Sequence, residues 1–498
     1  MKILDQYDVD FENSKIPVLI YSDSTEFIPI YEIGILEVGE YSKFILEKIK
    51  EDLLREGIFD KKESSDFNYE KLKEAYIKKV KELINFYLPM ISREEKNQII
   101  TYIVQKSLDL GFVDILITDY NLEEITINGP ESTILIYHKK YGWLKTNLKF
   151  LNDDEIKNIG SRIALENKKY FSNLNPLLDA HLRKGHRVNA TLNPISTKGS
   201  TITIRRFSDK PWTVSDLINS QTSSSISLAI IWIAIENEMS VIVAGGTGSG
   251  KTSFLNAIST FIPASQRILS VEDTREIRLP KYSHWVPMEA RQSNQEGKGE
   301  ISMLDLIVNT LRMRPDRIII GEIRKKEEAE VLFEAMRTGH SVYGTFHANT
   351  ANETILRLSS APIKIPKFTL SALGLIVVQH RDRKSGQRAT LQIAEVSPDG
   401  NENVILQYNP KTKKHFMKNK PVNLLQKLEE FQGISQDEFY EEIKTRSLVL
   451  RYLAKFNINK IDEVGEVINS YLTNKEKTLN KIKKEIISYN KRYKINKK

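Results

Sequence analysis

The residues best suited to chemistry lie in one run, Val241-Ile242-Val243-Ala244-Gly245-Gly246-Thr247-Gly248-Ser249-Gly250-Lys251-Thr252-Ser253. Four apolar residues lead into a glycine-rich turn, and Phe254, Leu255, Ala257 and Ile258 follow at helical spacing, so the stretch predicts strand, loop and helix. Gly245, Gly250, Lys251 and Thr252 occupy the fixed positions of G-x-x-x-x-G-K-[ST]. Such glycines let backbone N–H groups curl round a phosphate, and the helix N-terminus that follows favours negative charge. The chemistry implied is nucleotide binding. Lys251 is expected to reach the β/γ-phosphates and Thr252 to ligate Mg²⁺, with Gly246, Thr247, Gly248, Ser249 and Ser253 completing the cradle. The bland alternative is a glycine-rich turn with no ligand, and the flanking strand and helix argue against it.

Splitting a phosphoanhydride also needs a carboxylate to orient or polarise water, and positive charge on the transition state. Glu322 follows the apolar strand Ile318-Ile319-Ile320, and Glu272-Asp273 ends another apolar run. A single Glu after a strand is commonly a cap or a surface charge. Three carboxylates at strand ends flanking a phosphate loop favour the functional reading, with Thr252 and Glu322 as the candidate Mg²⁺ ligands. His340 and His347 flank the strand run SVYGTF; His347, at its C-terminal end, could sense a γ-phosphate, whereas a metal role lacks a partner histidine at ligand spacing. Arg291, Arg312, Arg314 and Arg324 read as salt-bridged surface. Arg187, Arg205 and Arg206 fall on strands or strand ends further upstream, where arginines are commonly solvated but could reach a phosphate on a neighbouring domain.

Positioning these groups requires a sheet. VIVAG, RILSVE (267–272), RIIIGE (317–322), SVYGTFH (341–347) and LIVVQ (375–379) alternate with helical segments, which predicts a parallel α/β sheet with its ligand at the strand C-terminal ends. Upstream, DILIT (114–118), EEITIN, TILIYH, RVNATL and STITIRRF read as strands around a helix at 153–167, an α+β domain. Helices are expected over 41–54, 69–87 and 92–110, with Ser92 and Glu95 forming a capping box. The boundaries follow: a mostly helical N-terminal extension (1–91), an α+β domain (92–212), a linker marked by Pro211-Trp212 and a serine-rich segment (213–225), an α/β domain (226–420) and a helical C-terminal region with a basic tail (421–498).

At 498 residues the chain needs more than one core. It has no cysteine, so disulfides and thiolate metal sites are excluded, as suits an intracellular protein. MKILDQYDVDFENSK has acids where a signal peptide needs an apolar core. The longest apolar run, 228–235, is far short of the ~20 residues of a membrane span. The net charge of +8 belongs to the tail: residues 475–498 hold ten Lys or Arg and two Glu, leaving a neutral remainder. That argues against a basic body gripping nucleic acid. Leu479, Ile482, Ile486, Tyr489 and Tyr493 recur on one helical face of the tail, which either packs on the protein or docks on an anionic membrane surface.

The segments AGGTGSGKT, SVEDTREIRLP, RMRPDRIIIGEIR and AMRTGHSVYGTFHA look like the Walker A, Asp box, Walker B and His box of the type II/IV secretion ATPase superfamily. The likeness runs on through NPLLDAHLRKGHRVNATLNPISTKGSTITIRRF and EIKTRSLVLRYL, as in archaeal type IV pilus-like and archaellum assembly ATPases, and covers roughly residues 100–460. The resemblance implies a RecA-like P-loop ATPase domain behind a smaller α+β N-terminal domain, flanked by a helical extension and a helical tail. It implies a cytoplasmic homohexamer using ATP and Mg²⁺, held at the inner face of the membrane by a polytopic platform protein and serving filament subunits indirectly. By the same resemblance Lys251 and Thr252 hold nucleotide and Mg²⁺, Glu272 and Glu322 serve water activation and the Mg²⁺ sphere, His347 senses the γ-phosphate, and Arg187 and Arg205 contact phosphate from the N-terminal domain. Arg291 is a weaker candidate of that last kind. An archaellum motor is the alternative within the class. A RecA-like DNA translocase is disfavoured by the neutral body, and a non-hydrolysing scaffold by the presence of Lys251, Thr252 and Glu322 together.

Overall fold

A computed structural model of the chain describes residues 1–11, 14–34, 45, 48–49, 51–53, 55, 69–107, 110–183, 185–207, 210–291, 293, 298–382 and 385–495. The helix expected over 41–54 lies mostly outside these residues. The chain divides into two compact units, Met1–Ser208 and Asp209–Lys498.

Among the described residues the first unit is built on nine strands: β1 (Lys2–Phe11), β2 (Ser14–Ser22), β3 (Ile30–Ile33), β4 (Leu122–Asn128), β5 (Thr133–His138), β6 (Gly142–Lys149), β7 (Leu177–His181), β8 (Arg187–Thr191) and β9 (Thr201–Arg205). Their order in the sheet is β1-β2-β3-β6-β5-β4-β9-β8-β7, with β3 and β6 the parallel pair. Burial alternates along β5 and β9, so one face carries the core. The helix Asp153–Glu166, capped by Asn152, contributes Ile156, Ile159 and Ile163 to it.

Two expectations need correction here. The apolar run 114–118 is not a strand but part of the helix Phe112–Thr118, which buries Val113, Ile115, Leu116 and Ile117. A short, wholly apolar run has no period of its own, so its packing decides its conformation. The first 91 residues include the expected helix Tyr69–Tyr87 but also β1 to β3, which extend the sheet. They are tied there by the buried carboxylate of Asp119, which accepts hydrogen bonds from the hydroxyls of Tyr7 (2.7 Å) and Tyr31 (2.8 Å). The capping box is formed as the sequence requires: Glu95 N–H donates to Ser92 Oγ, and Ser92 N–H to Glu95 Oε2, at the start of helix Arg93–Ser107.

The second unit holds β10 (Val241–Gly245), β11 (Ile268–Glu272), β12 (Trp285–Glu289), β13 (Arg317–Ile320), β14 (Ser341–Phe346), β15 (Leu375–Arg381), β16 (Arg388–Val396), β17 (Glu402–Asn409) and β18 (Lys414–Met417). The order is β12-β11-β13-β14-β10-β15-β16-β17-β18, parallel from β12 to β15 and antiparallel beyond. This is the α/β domain expected, with an antiparallel extension. Val241 and Val243 enter one core while Ile242 and Ala244 enter the other, so β10 is buried on both faces and reads as a continuous apolar run.

The stretch 213–225 holds the helix Val214–Asn219, begun by a Thr213–Asp216 capping box, and Ser224 caps the next helix, Ser225–Glu236. Serines here serve as caps. That second helix is apolar all round because it is buried all round, from Leu228 to Ile235. The C-terminal helices Asn423–Gln432, Gln436–Lys455, Ile461–Thr473 and Lys475–Ile495 extend its core. In the tail, Ile482 is buried, Leu479 and Ile486 pack against this core, and the Tyr489 ring meets Phe456 edge-on at 5.2 Å. The apolar stripe is therefore occupied by the protein itself and does not offer a membrane-inserting face. Lys475, Lys477, Lys481, Lys483 and Lys484 remain exposed. The side chain of Tyr493 lies outside the description.

Candidate active site

β10 delivers Gly245 to the C-terminal edge of the sheet, where the loop turns into helix Lys251–Ser259. Gly248 (φ 72°) and Gly250 (φ 88°) adopt left-handed backbone that side chains disfavour. A Cβ on Gly245 would lie 2.4 Å from Ser249 Oγ and 2.5 Å from the Gln379 carbonyl, so the loop closes only around glycine. No side chain caps the first amides of the helix, leaving them for an anion. Lys251 curls back over the loop, donating to the Gly246 carbonyl at 3.2 Å. Thr252 is partly exposed beside it, and Thr247 and Ser253 are exposed. This cradle fits a nucleotide phosphate.

The parallel sheet sets the acids alongside. His347 follows β14 and Glu322 lies just beyond β13, so adjacent strands bring them together. His347 Nε2 is 2.8 Å from Glu322 Oε1, while His347 Nδ1 lies 3.4 Å from the Lys251 ammonium. An ammonium can only donate, so Nδ1 is the acceptor and the proton of the neutral ring resides on Nε2, facing Glu322. Burial, then the Lys251 charge, holds His347 below the ordinary histidine value despite Glu322. The other Glu322 oxygen takes Nη2 (2.6 Å) and Nε (2.7 Å) of Arg324, whose Nη1 reaches Asp273 Oδ2 at 3.2 Å. Lys251, His347, Glu322, Arg324 and Asp273 thus form one chain of contacts.

Glu272, at the end of β11, is buried. Its Oε1 accepts from Glu276 N–H (2.8 Å) and Ile277 N–H (3.0 Å), and its buried Oε2 has no hydrogen-bond partner among the described residues. Burial pushes its carboxyl up to about 7, against the pull of the two amides. A carboxyl poised there can take a proton near neutral pH. An orphaned buried oxygen at the ligand edge of the sheet also suits a site that is completed by something bound.

Other candidates fall elsewhere. His340 precedes β14 and so lies about 20 Å of strand away from His347. Arg291 donates through Nε to the Gly299 carbonyl at 2.7 Å, and Arg312 and Arg314 are exposed ahead of β13. Arg187 and Arg205 belong to the first unit. Arg187 holds Asp179 through Nε (3.2 Å) and Nη2 (2.8 Å), and Arg205 stands opposite it in the β8–β9 register, with Glu124 opposite on β4. Arg206 donates to the carbonyls of Leu122 (3.0 Å) and Asp119.

Sequence reasoning missed two arginines. Arg381 and Arg388 face each other across the β15–β16 hairpin, and Arg388 Nε donates to the Gly248 carbonyl at 3.2 Å. A Cβ on Gly248 would lie 3.0 Å from Arg381 Nη1. The one available signal was Arg381 at the C-terminal end of a strand neighbouring β10, and the pairing that brings in Arg388 is not visible in sequence.

A phosphate loop after the central strand of a parallel sheet, with a histidine on the adjacent strand and carboxylates on the two strands beyond it, defines a P-loop nucleotide-binding domain. The family described as Type II/IV secretion system protein matches residues 106–421, and the chain belongs to it. The chain is 32% identical over 394 residues to the uncharacterized protein MJ0900 of Methanocaldococcus jannaschii, covering 76% of this chain and 70% of that one. It is 28% identical over 309 residues to the type IV secretion system protein PtlH of Bordetella pertussis, covering 55% of this chain and 90% of that one. Among solved structures, that of the Legionella pneumophila ATPase DotB is similar at 20% identity and a TM-score of 0.40, over 72% of this chain and 95% of that one.

Proposed function

We propose that the protein hydrolyses ATP and uses the reaction to drive assembly of a type IV pilus-like filament, or secretion. The observation that carries the hydrolysis reading is the contact chain from Lys251 through His347 to Glu322, which ties the phosphate loop to the acid beyond β13. Lys251 and the loop amides bind and orient the β/γ-phosphates. The Thr252 hydroxyl and Glu322 would hold Mg²⁺, which supplies Lewis-acid stabilisation of phosphate charge when bound. Glu272 takes the proton of the attacking water at Oε2 while the Glu276 and Ile277 amides fix Oε1. His347, neutral with its proton on Nε2, can exchange its hold on Glu322 for a γ-phosphate oxygen and so distinguish ATP from ADP.

The family membership and the likeness to PtlH, named as a type IV secretion system protein, support a motor working with a membrane platform protein. In this reading the working form is a homohexamer with Arg187 and Arg205 reaching a neighbour's phosphate. Pilus-type assembly is preferred over an archaellum motor on the text RPDRIIIGEIRKKEEAEVLFEAMRTGHSVYGTFHANTANET. Phosphate release from ATP by the purified chain, with and without Mg²⁺, tests the reading. A chain that binds no ATP, or binds it without turnover in any oligomeric state, would overturn it.

A further inference from the structure

The two amides that fix Glu272 belong to a strap, residues 273–284, that leaves β11 and returns as β12. The strap is fastened at its far end to the helix Ile461–Thr473. Lys281 N–H donates to Asp462 Oδ1 at 2.8 Å, and Asn469 Nδ2 donates to the Tyr282 hydroxyl at 2.7 Å. The other Asn469 atom, Oδ1, accepts from Ala264 N–H at 2.9 Å, so this side chain is held from both sides. Midway along the strap, Arg278 N–H donates at 2.7 Å to Asn256 Oδ1, on the helix that begins at Lys251, and Ile277 and Leu279 share a buried core with Val464 and Ile468.

Gly465 makes the fastening possible. It is buried in mid-helix, where glycine is the poorer helix former, and a Cβ there would lie 2.2 Å from the Tyr282 hydroxyl and 3.0 Å from Pro280 Cγ. Local propensity favours alanine at this position; the strap forbids it.

We propose that Gly465 and Asn469 are positioning residues for Glu272: the C-terminal helix anchors the strap, and the strap's amides aim the carboxylate. The inference rests on the proposed ATP hydrolysis and adds to it a control point remote from the phosphate loop. The helix carrying Gly465 also carries Tyr471, which packs on Trp232, and leads into the tail, so a disturbance of the C-terminal helices has a covalent and packed route to the carboxylate.

The test is steady-state ATP hydrolysis by the full chain, with affinity read separately from a fluorescent ATP analogue. Gly465→Ala should lower kcat at least about tenfold with analogue affinity nearly unchanged, because small misplacements of a reacting group cost rate at that scale. Tyr282→Phe removes the oxygen the new methyl meets but also the Asn469 partner, so the double variant Gly465→Ala/Tyr282→Phe should recover activity only to the level of Asn469→Ala. Asn469→Ala, which leaves the helix intact, should lower kcat in the same direction. Wild-type kcat in Gly465→Ala and Asn469→Ala, or a Gly465→Ala defect that Tyr282→Phe fails to relieve, would overturn the inference while leaving the proposed function standing. A wild-type chain without hydrolysis would remove both.

Discussion

The His347 ring and the Glu322 carboxylate are in direct contact at 2.8 Å, with the ring's other nitrogen turned to Lys251. In this arrangement the acid beyond β13 is already engaged, by the histidine on one oxygen and by Arg324 on the other. Any ligand that draws on Glu322 or His347 must break a contact the protein makes with itself.

Lys251→Ala and Glu322→Gln should therefore fail differently. Lys251→Ala removes a phosphate contact and should weaken ATP binding, whereas Glu322→Gln should bind ATP and turn over at least about a hundredfold more slowly, the scale of losing one transition-state contributor. Binding by a fluorescent analogue and phosphate release separate the two; wild-type turnover in Glu322→Gln would exclude that residue from the mechanism.

Glu272 couples activity to stability with opposite signs. Its folded-state carboxyl is raised from 4.5 to about 7, so the folded state favours the protonated form. The resulting stability is complete below about 4.5 and is lost as pH rises through about 7, on the order of 3 kcal/mol in all. Glu272→Gln should match the wild type in Tm near pH 4 and exceed it at pH 8, while abolishing the rise in kcat/KM through pH 7. Equal Tm differences at both pH values would contradict the buried, titrating carboxyl.

Arg205 faces a like charge, Arg187, directly across β8–β9. Its neighbour on the other side is the opposite charge Glu124, and with one like and one unlike charge beside it Arg205→Ala should leave Tm nearly unchanged. If it serves a neighbour's phosphate, turnover should fall, and mixed hexamers of Arg205→Ala with Lys251→Ala should regain some activity by pairing intact half-sites. Mixtures no better than either parent, with mixed hexamers demonstrated, would count against a shared site.

The tail separates packing from charge. A chain ending at Asn474 loses the buried Ile482 and the contact of Tyr452 with Glu485, so its Tm should fall. If the tail's charge docks the protein on an anionic surface, reversing the exposed Lys477, Lys481 and Lys484 to Glu should spare Tm and remove salt-sensitive cosedimentation with anionic liposomes, since each basic residue near such a surface is worth about 1 kcal/mol. Unchanged sedimentation would leave the tail as packing alone.

The phosphate loop was legible in the sequence because its requirements are local: three of its glycines have positive φ, a lysine follows, and an apolar strand and a helix flank it. The central strands were legible for a related reason, since burial on both faces leaves mostly β-branched and other apolar residues between turns. Tertiary structure decided what depends on partners distant in the chain. Residues 114–118 became helix, β1 to β3 joined the sheet through Asp119, and the tail stripe found its occupant in the C-terminal helices. The same holds for Arg388, brought to Gly248 by a hairpin, and for Gly465, whose role appears only when Tyr282 is laid against it. The raised carboxyl of Glu272 has this origin too: a glutamate's side chain is the same everywhere, and only the surroundings that exclude water from it set where it gives up its proton.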